Sequence, residues 1–216
     1  MSTITIIGGT GYAGSHLLKE AHDRGHTVIS ISRTLPGEQI DGVTYRSADV
    51  RDDQTLIDAT RGTDVVISAL SPRGALEGPG RLRGIIDALA THAVENSVRL
   101  GVIGGAGSLR VSEDGPLLID SEGFPDAAKP EAGELAGVLE LLKETDPRLD
   151  WFFVSPAESF GSFNPGEHTG IYRIGGDVVL RDAAGVSALS GADLADAVIT
   201  EADVPTHHRR RFTVAY

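Results

Sequence analysis

The chain has 216 residues, 40% of them hydrophobic, no cysteine and a formal net charge of −12. That apolar share builds a core and excludes disorder as the main state, and the length suits one domain over residues 1–216. The missing cysteine excludes disulfides, thiolate zinc sites and cysteine nucleophiles, and the acidic field argues against broad binding to nucleic acid or anionic membranes.

Residues 1–3 lead straight into an apolar strand, without the basic segment and cleavage site of a signal peptide. No apolar run reaches the roughly 20 residues of a membrane span, so a cytoplasmic protein is expected. The β-branched run TITII at 3–7 predicts a first strand, which ends in glycines. A helix follows, with Ala13, Leu17, Leu18 and Ala21 on one face, and stops at Arg24-Gly25. Strands are predicted at 27–32 and 43–46, then a helix over 54–61.

DVVISA at 64–69 is apolar throughout its interior, as a central parallel strand covered on both faces would be. Leu82, Ile85, Ile86, Leu89 and Ala93 mark another helix, and 99–103 the fifth strand. A helix over 131–144 and a strand over 149–154, closed by Ser155-Pro156, continue the alternation. The last quarter predicts a small hairpin over 171–180 turning at Gly175-Gly176-Asp177. A helix capped by Ser190 and a final strand at 211–216 follow it. The class is α/β: a doubly wound parallel sheet with helices on both faces and a small C-terminal hairpin, helix and strand region. The long loops at 71–80 and 107–129 leave strand C-termini, where a substrate pocket is built in such sheets.

Gly8-Gly9-Thr10-Gly11-Tyr12-Ala13-Gly14 joins the first strand to the first helix. Gly8 permits the tight turn, Gly11 lets backbone approach a pyrophosphate, and Gly14 lets the helix pack on the strand. The helix N-terminus supplies free N–H groups and partial positive charge, so the loop suits a dinucleotide. An NAD site places Asp or Glu at the end of the second strand for the ribose 2′-OH. Here that position reads Ser32-Arg33-Thr34, with no acid before Glu38. Arg33 suits a 2′-phosphate, which favours NADP(H) over NAD(H). Asp49-Val50 stand where an adenine edge would lie, and Ala69-Leu70-Ser71 where the ribose and nicotinamide would. Both sets are equally compatible with plain strand ends.

With these residues in hand, the chain resembles the atypical short-chain dehydrogenase/reductases, and among them the NAD(P)H-binding group of NADH–flavin reductases and biliverdin reductase B. The resemblance rests on GGTGYAG at 8–14, IGGAGSL at 103–109, DWFFVSPAESF at 150–160, PGEHTGIYRIGGD at 165–177, SGADLADAV at 190–198 and HHRRRFTVAY at 207–216. It implies a Rossmann-like fold, NADP(H), and hydride transfer to a flavin, quinone or similar small planar acceptor. It also implies that Gly104, Gly105 and Ser108 lie beside the nicotinamide, with Pro156 and Ala157 along the cofactor or pocket wall. Ser108 is then either the catalytic hydrogen-bonding group or a turn serine.

One departure matters chemically. No Tyr-x-x-x-Lys pair occurs; Pro125 stands four residues before Lys129. Alcohol oxidation and sugar epimerisation suffer from that loss, whereas flavin reduction needs chiefly two rings held together. The alternative from another class is a non-catalytic NADP(H) sensor acting through a protein partner. The chain has no G-x-S-x-G elbow or H-E-x-x-H motif, and no metal site is expected. A monomer or homodimer is expected, with no nucleic acid or membrane partner.

Overall fold

A computed structural model describes residues 1–216. The β-branched and aromatic runs form β1 (Thr3–Ile7), β2 (Thr27–Ser32), β3 (Thr44–Ser47), β4 (Val65–Ser68), β5 (Arg99–Ile103), β6 (Trp151–Pro156), β7 (Arg173–Gly175) and β8 (Arg210–Ala215). The amphipathic segments form α1 (Tyr12–Asp23), α2 (Asp53–Thr60), α3 (Arg81–Asn96), α4 (Lys129–Glu144) and α5 (Gly191–Asp203). No helix is long and apolar enough to cross a membrane.

The eight strands form one sheet in the order β3-β2-β1-β4-β5-β6-β8-β7, parallel except for β7. Strand side chains alternate between two cores. Ile7, Val66, Trp151 and Phe153 face α2, α3 and α4, while Ile4, Ile6, Ile67, Phe152 and Val154 face α1 and α5. Phe152 and Phe153 are fully buried, and each contributes about 1.5–3 kcal/mol. Their rings explain two glycines. A Cβ on Gly101 would sit 2.3 Å from Phe152, and one on Gly104 would sit 1.9 Å from Phe153.

The predicted elements form except for the hairpin, most of them with ends displaced by one or two residues. β6 runs on through Ser155 and Pro156, whose partners are Thr213 and Val214 of β8. The hairpin over 171–180 does not form. Residues 173–175 instead pair antiparallel with β8, and Val178 bridges to Arg110, so the two halves of the expected hairpin go to different partners. β3 begins at Thr44 rather than Val43.

At the N-terminal end of the strands, Arg99 is buried in a polar network. Its guanidinium donates to the Glu201 carboxylate at 2.6 Å, to the Glu201 carbonyl at 2.6 Å and to Asp150 at 2.9 Å. Burial pushes the Glu201 carboxyl up, but hydrogen bonds from Arg99, Thr206 and His207 outweigh it and bring it down to about 2. The opposite end of the sheet is left for the site.

Candidate functional site

The order of strands reverses between β1 and β4, and the loops leaving their C-terminal ends open a crevice there. The loop after β1 is shaped by its glycines. Gly8 has φ +85°, a left-handed conformation that favours glycine. A Cβ on Gly14 would lie 2.1 Å from the Gly8 carbonyl oxygen, so α1 approaches β1 only because that atom is missing. At Gly11 a Cβ would meet only the Gly8 oxygen, at 3.3 Å, and the loop is otherwise open on that side.

α1 starts at Tyr12, and its N-cap, Gly11, has no side chain to bond the first turn. The amides of Tyr12, Ala13 and Gly14 therefore lack an intrahelical acceptor and find none elsewhere in the chain. Three free donors at a helix N-terminus beside an open glycine form an anion cradle, and the residues present fit a dinucleotide diphosphate. The N–H of Thr10 is already occupied, donating to Ser32 Oγ at 3.2 Å, which ties the cradle to the end of β2.

Next to that tie, Arg33 is exposed and its guanidinium makes no ion pair; its carbonyl accepts from Ser47 Oγ at 2.9 Å. Asp49 accepts from the Arg51 guanidinium, Nε at 3.0 Å, and from the Arg51 amide at 3.0 Å. Those bonds, with the Arg33 charge nearby, bring the Asp49 carboxyl down to about 2. Val50 is 6% exposed and belongs to the core, so of the pair at 49–50 only Asp49 faces outward. Arg51 is a residue that sequence reasoning missed. The result is a locally cationic patch, Arg33 and Arg51 around one carboxylate, on an acidic protein.

On the other side of the cradle, over the ends of β4, β5 and β6, lies a cavity of about 850 Å3. It gathers most of the sequence-predicted residues: Gly11, Tyr12 and Ala13; Ala69, Leu70 and Ser71; Gly104 and Gly105; Pro156 and Ala157. Gly8 and Gly14 lie beneath as the structural glycines of the loop. The loop at 107–129 supplies Leu118 and Phe124, and Ile103 and Leu135 complete an apolar wall. A third lining segment, 160–163, brings Phe160 and Phe163, and Arg181 also lines the cavity. Neither was readable from the sequence.

Ser108 is not among the lining residues. It is 9% exposed, and both its Oγ and its carbonyl accept from Arg211 Nη1 at 2.9 Å. Of the two roles open to it, the geometry fits the turn serine. Lys129 is exposed and pairs with Asp126 at 2.6 Å, also outside the cavity. Tyr12 is the one lining tyrosine. Its hydroxyl donates to the Pro165 carbonyl at 3.1 Å and accepts from the Gly191 amide at 3.1 Å. The cavity thus offers an apolar surface beside the free amides at the start of α1, and no lysine is among its lining residues.

The comparisons with known proteins agree with this geometry. The family model described as NAD(P)H-binding matches residues 8–205. The chain is 38% identical over 219 residues to the uncharacterized protein YwnB of Bacillus subtilis (strain 168), spanning 98% of this chain and 97% of that one. A solved structure from Streptococcus pneumoniae TIGR4, to which an NADH-flavin reductase role is ascribed, has TM-score 0.86 and 32% identity, covering 100% of this chain and 99% of its own. Another, from Bacteroides thetaiotaomicron and ascribed an epimerase role, has TM-score 0.87 and 32% identity, covering 100% and 97%. The cradle at the sheet's switch point and a match spanning nearly all of the chain have one meaning: this protein belongs to the NAD(P)H-binding family of Rossmann-like, oxidoreductase-type proteins.

Proposed function

We propose that the protein is an NADPH-dependent reductase that transfers hydride to a flat conjugated acceptor such as a flavin or quinone. The observation that carries this reading is the continuity of the site. The free amides of Tyr12 and Ala13 and the apolar walls of Ile103, Leu118, Phe124 and Leu135 border one cavity. When bound, NADPH supplies two electrons and one hydrogen as hydride, becoming NADP+, and the acceptor takes its balancing proton from solvent.

The rest is done by the chain itself. The Tyr12, Ala13 and Gly14 amides would hold the diphosphate, and Arg33, helped by Ser32 and Thr34, the 2′-phosphate. The backbones of Gly104 and Gly105, with Ala69–Ser71, would border the nicotinamide end, and Pro156 and Ala157 the adjoining wall. The aromatic and aliphatic wall excludes water and orients the acceptor ring, which is the larger part of catalysis for such a transfer. The epimerase role ascribed to the Bacteroides protein fits this chain less well, because the cavity has no Tyr-x-x-x-Lys pair to move protons.

Stopped-flow absorbance is the test. Protein mixed with NADPH and riboflavin or a naphthoquinone at neutral pH should consume NADPH only when acceptor and protein are both present. No protein-dependent loss with any flavin or quinone overturns the proposal.

A further inference from the structure

The charges around the cavity bear on which acceptor enters it. Two cations line it, and each is already neutralised. Arg73 Nε donates to Glu131 at 2.7 Å, and Arg181 pairs with Glu158 at 2.9 Å. Glu122, also in the lining, is exposed and has no cationic partner. The loop it belongs to, 107–129, contains five carboxylates against two cations, and one of those cations, Lys129, is paired with Asp126. No unpaired guanidinium or ammonium faces the cavity, and the whole chain carries −12. This is the reverse of the Arg33 side of the cradle, where an unpaired guanidinium awaits a phosphate.

The geometry points to a reductase whose acceptor carries no phosphate: an uncharged ring such as riboflavin or a simple quinone, in preference to FMN or FAD. This inference rests on the reductase reading above. An anionic tail arriving at the mouth meets the unpaired carboxylate of Glu122, while the two lining guanidiniums, Arg73 and Arg181, are each already paired with a carboxylate. Like charges repel with little screening at low ionic strength, and FMN presents two negative charges.

Riboflavin and FMN share one ring and differ by the phosphate, so the ratio of their kcat/KM values at saturating NADPH isolates this effect. At about 0.01 M ionic strength, where the Debye length is about 30 Å, riboflavin should be favoured about fivefold or more. At about 0.15 M, where it falls to about 8 Å, the ratio should narrow through a rise for FMN. Glu122→Lys should narrow the low-salt ratio further. If FMN equals or exceeds riboflavin at low salt, or the ratio ignores salt, the inference is overturned and the reductase reading stands. If neither flavin nor any quinone is reduced, both fall together.

Discussion

Tyr12 and Gly191 lie 179 residues apart in sequence and meet where the Gly191 amide donates to the Tyr12 hydroxyl at 3.1 Å. The same hydroxyl donates to Pro165, and the Tyr12 ring packs on Phe160 with centroids 5.5 Å apart. One residue therefore gives its main-chain N–H to the cradle and uses its side chain to tether the segment that carries Phe160 and Phe163 into the cavity. Tyr12→Phe removes both hydroxyl bonds and keeps the amide. It should lower stability by about 0.5–1.5 kcal/mol and raise the acceptor KM severalfold, with NADPH affinity within about twofold. Steady-state kinetics beside calorimetry separate the two effects; equal losses in both would contradict the tether.

In the proposed function Arg33 would decide the choice of coenzyme. A charge-assisted bond contributes about 1.5–3 kcal/mol, so Arg33→Ala should weaken NADPH at least tenfold and leave NADH nearly unchanged. Competitive binding measured by fluorescence checks this. An equal loss for both coenzymes would make Arg33 a structural residue.

Two glycines of the cradle should behave differently. In Gly14→Ala the new Cβ meets the Gly8 backbone, and a loss of about 1–3 kcal/mol in urea unfolding is expected. In Gly11→Ala it meets only one oxygen at 3.3 Å, so the fold should persist while the thermal upshift on adding NADPH is lost. A Gly11→Ala protein that binds NADPH normally would move the diphosphate elsewhere.

Ser108→Ala should keep acceptor turnover within about twofold and cost about 1 kcal/mol of stability, because the hydroxyl is bonded to Arg211. A drop of a hundredfold in kcat with unchanged stability would restore Ser108 to the chemistry.

Glu201 sets an acid limit. Its carboxyl sits at about 2 in the folded chain against 4.5 when unperturbed. A depressed carboxyl gives stability that is present above pH 4.5 and drains away as pH falls toward 2, on the order of 3 kcal/mol in all. Glu201→Gln leaves Arg99 with a weaker partner. It should lower stability at pH 7 by about 2–3 kcal/mol and flatten the loss between pH 5 and pH 3. Urea unfolding at pH 7 and from pH 5 to pH 3 reads both.

The parts legible in the sequence are those specified locally. The runs at 3–7 and 65–68, the helical spacing through Leu82 and Leu89, and the glycines at 8, 11 and 14 each act within a few residues. So do the strand ends that border the cavity. What escaped reading depends on partners far along the chain. β7 is three residues long and pairs with 213–215, and the turn-like Gly175-Gly176 gave no sign that Val178 would bridge to Arg110. Ser108 owes its role to Arg211, 103 residues on, and the mouth of the cavity to ion pairs such as Arg181 with Glu158. Such pairings follow from packing, and no local pattern encodes them.

The proposed function rests on the cradle taking a dinucleotide phosphate at one end and Arg33 a second phosphate at the other. Isothermal titration of the intact protein with NADPH and, separately, NADH tests both at once. Saturable heat with one site per chain is expected, with NADPH binding tighter by tenfold or more. Absence of heat with both coenzymes, or tighter binding of NADH, would contradict it.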